Sequence, residues 1–441
     1  MQRSSGILLP FFSLPSTTFD SAYAFIDFLK NAGQKYWQIL PLGPTDPQCF
    51  DSPYTSFSSF ALNAKLLPEG STTSPIFIQE QPWVLDYALF MALLEHFRCP
   101  WFQWPRDIAQ RTPEAIVHWQ NELRSEIAMH VQSQNKAFAG WQAIRDYAHI
   151  QGIQIIGDVP IFVAHNSADV WCNQSEFLLN DDGTMQAVAG VPPDFFNPDG
   201  QTWGLPLYRW DVMKKNNYRW WISRLQHSCQ LYDLVRIDHF RGFEAYFEIP
   251  ARSTARDGRW IKGPGHDLFD TVQKEIPLLP FIAEDLGVIT KEVHKLRDDY
   301  ELPGMRIALI EFLDFGRTGT DASLHNIEEH PINSVAYSTT HDFNTALGWY
   351  NDEATPEARQ YFNQRIGTVY PDKQLNLINF VARSSAKIAI YAMQDILGLG
   401  ANARINTPGT SGVGKNWSWK LEYIPHHLAE PLKIITRKNN R

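Results

Sequence analysis

Eight short apolar runs, most of them preceded by an amphipathic helical stretch, predict a (β/α)8 barrel, class α/β. Helix followed by strand, repeated along the whole chain, requires parallel strands joined by crossover helices. The runs are Gly6–Phe12, Tyr36–Leu42, Ile153–Val159, Asp233–Asp238, Pro280–Glu284, Met305–Glu311, Ser334–Thr340 and Lys387–Met393. A doubly wound open sheet is the alternative arrangement of the same elements.

The elements follow in order. The first twelve residues hold one Arg and a short apolar run without a small-residue cleavage site, so they are expected to form the first strand of a cytoplasmic protein. Ser21–Ala32 has a helical apolar face and stops at Gly33, where a C-cap glycine belongs. Lys136–Gln151, closed by Gly152, repeats the pattern, as do Trp220–Cys229 and Lys291–Tyr300. A barrel of about 250 residues leaves roughly 190 to place. Two connections are too long for ordinary loops, and they predict inserted subdomains over the C-terminal mouth of the barrel. The first, between strands two and three, spans about 43–135 and contains a helical stretch, Val84–Phe97. The second, between strands three and four, spans about 162–219 and is rich in Pro, Gly, Asp and aromatics. No internal repeat or low-complexity segment interrupts the pattern, and the whole chain is expected to be one catalytic barrel.

Composition removes several function classes. The 441 residues carry 39 Lys and Arg against 48 Asp and Glu, a net charge of −9. With no Lys/Arg-dense block, nucleic acid is an unsuitable partner. No run reaches the roughly 18 apolar residues of a transmembrane helix. Four cysteines without CxxC spacing argue against a disulfide scaffold or structural zinc. Aromatics amount to 13%, and some sit among polar neighbours: Trp203 near Gln201 and Asn197, Trp349-Tyr350 after His341-Asp342, and Trp417-Ser418-Trp419. Aromatic faces beside amides and carboxylates suit a sugar.

Catalytic groups of such barrels sit where the strands end. Strand three ends at Asp158, strand four at Arg236-Ile237-Asp238-His239, strand five at Glu284-Asp285 and strand seven at His341-Asp342. Alternation puts Leu234, Arg236 and Asp238 on one face, so Arg236 is expected to depress the pKa of Asp238 and keep it ionised. An ionised carboxylate suits a glycosyl nucleophile. Glu284 follows the apolar Phe281-Ile282-Ala283, a setting that raises a carboxyl pKa and suits a general acid. Asp285 is expected to cap the next helix. One raised and one ionised carboxyl are what glycoside chemistry uses. Asp158, Asp238, His239, His341 and Asp342 also include metal-ligating residue types. The absence of HxH and HExxH patterns and the neighbouring Arg236 disfavour that reading, and neither a metal nor a cofactor is expected.

At these residues the chain resembles glycoside hydrolase family 77, the 4-α-glucanotransferases or amylomaltases. The likeness runs from about residue 3 to about 420. It rests on WQILPLGP at 37–44, SPY at 52–54, NSADVW at 166–171, AGVPPD at 189–194 and GQTWG at 200–204. VRIDHFRGFEAYFEIP, IAEDLGVIT, LPGMR, THD, MQDILGLG and RINTPGT follow in order. The resemblance implies Asp238 as nucleophile, Glu284 as acid/base and Asp342 as transition-state stabiliser. It places Arg236 and His341 in support, Asp158 at the sugar subsite, and Tyr54, Trp203 and Asn406 as sugar contacts. It implies α-1,4-glucans and maltooligosaccharides as donor and acceptor, retention through a covalent glycosyl-enzyme, and no metal. Retention in turn implies carboxyls about 5–5.5 Å apart. The chain departs from the family pattern in a cut-down first insertion, in Leu205 where the family has Asn, and in Phe343-Asn344 after His341-Asp342. An α-glucan hydrolase with the same three carboxylates, and a catalytically silent glucan-binding protein, are the rival functions. The aromatic segment from Val191 to Trp210 offers acceptor contacts and a partial lid. Replacing Trp203 by Ala is therefore expected to raise the ratio of hydrolysis to transfer, measured as reducing ends released per transfer event; an unchanged ratio would remove Trp203 from the acceptor site.

Overall fold

The computed structural model describes residues 3–193, 199–313, 325–410 and 416–441. Its strands are β1 Ser4–Leu8, β2 Tyr36–Gln38, β3 Gln154–Val159, β4 Ala187–Val191, β5 Gln201–Pro206, β6 Leu234–Ile237, β7 Ala245–Pro250, β8 Arg259–Lys262, β9 Phe281–Ala283, β10 Gly304–Ile307, β11 Ser334–Tyr337 and β12 Ile388–Ala392. Eight of them close a barrel in the order β1-β2-β3-β6-β9-β10-β11-β12, with β12 back against β1. Every neighbouring pair is parallel. All eight predicted strands are present, and the open-sheet alternative is removed by the closing β1–β12 ladder, in which Ser4 to Leu8 pair with Ile388 to Ala392.

The sixth strand is shorter than its apolar run. It stops at Ile307, and Ala308–Leu313 turns into helix. A run that is apolar throughout does not distinguish a buried strand from a buried helix turn. The expected helices form at Phe19–Asn31, Trp83–Phe97, Arg124–Ile150, Arg219–Leu231 and Lys291–Asp299. Thr18 starts the first of these by accepting from the Ser21 amide. Gly33 and Gly152 follow their helices with φ of +71° and +75°, a conformation that costs glycine little.

The rim holds a second sheet, antiparallel, in the order β5-β4-β7-β8. Only β4 and β5 come from the connection after barrel strand three. The other two come from the connection after strand four, which the sequence analysis treated as an ordinary loop. Their apolar runs are short and interrupted, and β7 finds its partner some 60 residues away in the ladder that sets Val188 opposite Ile249. Asn197, Asp194 and the rest of 194–198 lie outside the described residues. Among the described residues no helix is long and apolar enough to cross a membrane.

Register places the chemistry. Asp158 pairs with Arg236 across β3 and β6, and Ile237 pairs with Ala283 across β6 and β9. The next residues, Asp238 and Glu284, therefore leave the barrel side by side at one level. Gly157 helps fix the third strand, because a Cβ there would lie 2.1 Å from the Tyr232 ring. Asp285 does not cap the following helix. Its side chain is fully buried and accepts from the Met305 amide at 2.7 Å, from Arg306 at 3.0 Å and from Arg297. It ties strand five to strand six. Asp285→Ala would leave Arg306 buried without its counter-charge, and we expect a loss of about 3–5 kcal/mol of stability in urea unfolding.

Candidate active site

The C-terminal ends of the barrel strands enclose a cavity of about 720 Å3, walled by Tyr54, Trp203, Arg236, Asp238, Glu284, Asp342 and Asn406 among others. Arg236, almost wholly buried, reaches from inside the barrel. One of its nitrogens, Nη1, donates to both oxygens of Asp158 at 2.8 Å, and Nη2 lies 2.9 Å from Asp238 Oδ1. The Tyr54 hydroxyl donates to Asp158 Oδ2 at 2.7 Å and contacts His341 Nε2 at 2.8 Å. The phenol has one proton, already given to Asp158, so His341 carries its hydrogen on Nε2. That same nitrogen is 3.1 Å from Asp342 Oδ2.

Glu284 follows β9 directly, and its Oε2 accepts from the backbone N–H of His239 at 2.6 Å. His239 takes φ +48°, a left-handed conformation uncommon outside glycine. That conformation directs the amide of the residue after Asp238 toward Glu284. The Trp203 indole stands perpendicular to the His239 ring at 4.9 Å.

Asp342 sits on the loop after β11, and a second loop clamps it. Asn406 Nδ2 donates to Asp342 Oδ1 at 2.7 Å, and the Asn406 amide to the His341 carbonyl at 3.0 Å. Arg404 bridges the carbonyls of Asp342 and Asn406 at 2.8 and 2.6 Å. Buried Asp395 gathers Ser338, Thr339 and the Ala346 amide at 2.6, 2.6 and 2.8 Å, holding both ends of the His341-Asp342 loop.

Three carboxyls thus meet three environments. Burial pushes Glu284 up to about 8, helped by the neighbouring Asp238 charge and opposed by Arg236 and the His239 amide. Burial also raises Asp238, to about 6, because Arg236 is offset by Asp158 and Asp342. This corrects the expectation that Arg236 depresses Asp238 below its ordinary value: desolvation outweighs the cation. Asp342 moves the other way. Burial raises it, but His341, Asn406 and Arg236 together hold it well below the usual carboxylate range. At neutral pH Asp238 and Asp342 are charged and Glu284 holds its proton. His239, desolvated and near two arginines, is pushed down to about 3 and is neutral.

All nine residues singled out from sequence come together here, in two layers. Tyr54, Trp203, Arg236, Asp238, Glu284, Asp342 and Asn406 face the cavity. Asp158 and His341, with side chains 0% and 4% exposed, lie behind its wall and touch Tyr54, Arg236 and Asp342. Leu205 lines the cavity, so the departure from the family's Asn falls on the cavity wall. Asn344 turns away to bond Glu353 at 2.6 Å. Arg404, Asp395 and the His239 backbone are not among the residues singled out from sequence. Arg404 and Asp395 stand in the quoted RINTPGT and MQDILGLG motifs, which were the available signal; a backbone amide leaves none. Among the described residues no group of three or more His, Cys, Asp or Glu side chains is placed to hold a metal.

The family model for 4-alpha-glucanotransferases, glycoside hydrolase family 77, matches residues 9–74 and 69–426. The chain belongs to this family. A 4-alpha-glucanotransferase of Thermus thermophilus is 39% identical over 497 aligned positions, covering 97% of each chain. The chloroplastic/amyloplastic 4-alpha-glucanotransferase of Solanum tuberosum is 34% identical, covering 95% of this chain and 82% of that one. The amylomaltase from Streptococcus agalactiae, solved in complex with acarbose, superposes with a TM-score of 0.91 at 33% identity over the full length of both chains. The amylomaltase from Corynebacterium glutamicum, at 17% identity and a TM-score of 0.74 over 100% of this chain and 75% of that one, shares the fold. An alignment longer than the 441-residue chain, and a family match that breaks at 69–74, place this family member's shortening in the first long connection.

The opposed carboxyls give a pH prediction. If turnover requires Asp238 charged and Glu284 protonated, activity falls on the acid side as Asp238 gains a proton near 6 and on the alkaline side as Glu284 loses one near 8. The kcat/KM profile is expected to be a narrow bell whose limbs belong to the pair jointly. Arg236→Met should move the acid limb upward, because the cation that opposes protonation of Asp238 is gone.

Proposed function

We propose that this 4-α-glucanotransferase transfers α-1,4-glucan segments by a retaining double displacement. Glu284 gives its proton to the glycosidic oxygen while the Asp238 carboxylate attacks C1. The bond from C1 to that oxygen breaks, the leaving glucan departs with a free 4-hydroxyl, and a glycosyl ester of Asp238 remains. Glu284, now ionised, takes the proton from the 4-hydroxyl of an acceptor glucan. The acceptor oxygen attacks C1, and Asp238 leaves as a carboxylate beside Arg236. Asp342, kept ionised by His341 and Asn406, accepts from the hydroxyls of the distorted sugar. Tyr54, Trp203 and Asn406 contact the sugars, and Asp158, behind the wall, helps set the subsite through its bonds to Tyr54 and Arg236. No metal or cofactor takes part.

The observation that carries this reading is the pairing of Asp238 and Glu284 in one cavity with proton affinities ordered as nucleophile below acid. Transfer is favoured over the hydrolase alternative by the family, and over silent binding by the intact trio of carboxyls. We read the chain as one catalytic unit with rim insertions at about 43–135 and 162–219, since Tyr54 and Trp203 reach the same cavity from both. We also place it in the cytoplasm, where the free thiols of Cys49, Cys99, Cys172 and Cys229 suit a reducing compartment.

Pure protein given maltotriose in EDTA is expected to yield glucose and a ladder of longer maltooligosaccharides at constant total reducing ends. Reducing ends that climb with time would replace transfer by hydrolysis. Glu284→Gln should lower kcat by about 10²–10⁴-fold, and Asp238→Asn should stop turnover while the protein still binds glucan.

A further inference from the structure

A second cavity, of about 790 Å3, lies on the flank of the barrel between helix Arg219–Leu231 and the segments at 80–87 and 168–176. It is as roomy as the catalytic cavity of about 720 Å3. Its lining is aromatic and polar, and no Val, Leu, Ile or Met contributes to it. An apolar helix or a lipid chain finds no matching surface there. The lining carries four carboxyls, Glu80, Asp86, Asp169 and Glu176, against one cation, Arg219; with Asp86 paired to Arg111 at 2.6 Å, the wall still holds more acid than base and does not suit phosphorylated or other anionic ligands. A neutral ligand with apolar faces and many hydroxyls remains.

The aromatic floor is built for such a ligand. Half-buried Phe60 and Trp83 stand 6.1 Å apart and 29° from parallel, with Trp220 edge-on to Phe60 at 6.4 Å. The Trp83 N–H is engaged by Gln81 at 2.7 Å, and Phe138 packs against the ring at 5.7 Å, so the half-buried indole is held in place in the groove wall. Glu176, 8% exposed, accepts from Asn216 through Oε1 at 2.5 Å, while its Oε2 has no hydrogen-bond partner among the described residues. An unpaired buried acceptor is costly, and a sugar hydroxyl would satisfy it. Asn173 and Gln226 add amides to the same wall.

The groove is joined to the catalytic cavity through one loop. Ser58 and Phe60 line the groove, and Ser52, Tyr54 and Thr55 line the cavity. The Ser59 amide donates to Asp169 Oδ2 at 2.7 Å, and Arg224 of the groove helix donates to the Pro160 carbonyl at the cavity wall at 2.6 Å.

We propose that this flank groove is a second carbohydrate site, which holds one segment of a long α-glucan while another segment reacts in the barrel mouth. The ligand class rests on the glucanotransferase reading, and the test separates the two. The Asp238→Asn protein, titrated calorimetrically with maltoheptaose, is expected to bind two molecules per chain. Adding Trp83→Ala, or Ser223→Trp to fill the groove from an exposed helix position, should reduce this to one. In the otherwise native enzyme the same changes should leave kcat/KM for maltotriose as it was and raise KM for amylose about three- to tenfold, the worth of one lost stacking platform. One molecule per chain before and after the groove substitutions, with KM for amylose unmoved, would overturn the site. Failure of the native enzyme to convert maltotriose would instead overturn the catalytic reading, and the stoichiometry would still decide the groove.

Discussion

A buried guanidinium holds the chemistry of this molecule together. Arg236 lies inside the barrel with its charge divided between Asp158 and Asp238. Neither partner could be removed cheaply, because a buried cation left alone costs several kcal/mol. Through Asp158 the same network reaches Tyr54, and through Tyr54 it reaches His341 and Asp342. Strands three, four and seven and the loop at 52–60 are thereby locked to one another by polar contacts at the level where the barrel opens.

That cation also sets the proton inventory of the site. Burial alone would push every carboxyl in the cavity upward. Arg236 keeps Asp238 low enough to be charged at neutral pH, while the ion of Asp238 in turn helps hold Glu284 protonated. Asp342 escapes the trend because a histidine N–H and an amide from a separate loop are aimed at its oxygens. Three residues of similar chemistry are thus separated into different states by their neighbours alone, within one cavity.

The barrel was legible in the sequence because each strand, buried on both sides, leaves a continuous apolar run, and each crossover helix leaves its own period. The site was legible because strand ends are marked by the charged residues that close such a run: Asp158, Asp238, Glu284 and Asp342 all stand at that position. Reading failed where one signal has two causes. The run at Met305–Glu311 is half strand and half helix, and Asp285, with the look of a helix cap, is a buried tie between strands. It failed too where partners are remote, as with β7 and β8, whose place in the rim sheet depends on β4.

What the sequence by itself determined is the architecture and which charged side chains stand at the strand ends, since hydrophobic periodicity and strand-end position are local properties of the chain. What only the tertiary structure decided is the balance of forces on those groups. The adjacency of Arg236 and Asp238 was readable from alternation, yet the pKa of Asp238 rises because burial opposes the cation, and the cavity in which it is buried is walled by residues drawn from 49 to 417. Clamping of Asp342 by Asn406 and Arg404, some 60 residues downstream, is likewise a contact that no local pattern records. Electrostatic free energy depends on everything within a few ångströms, and that neighbourhood exists only once the barrel has closed.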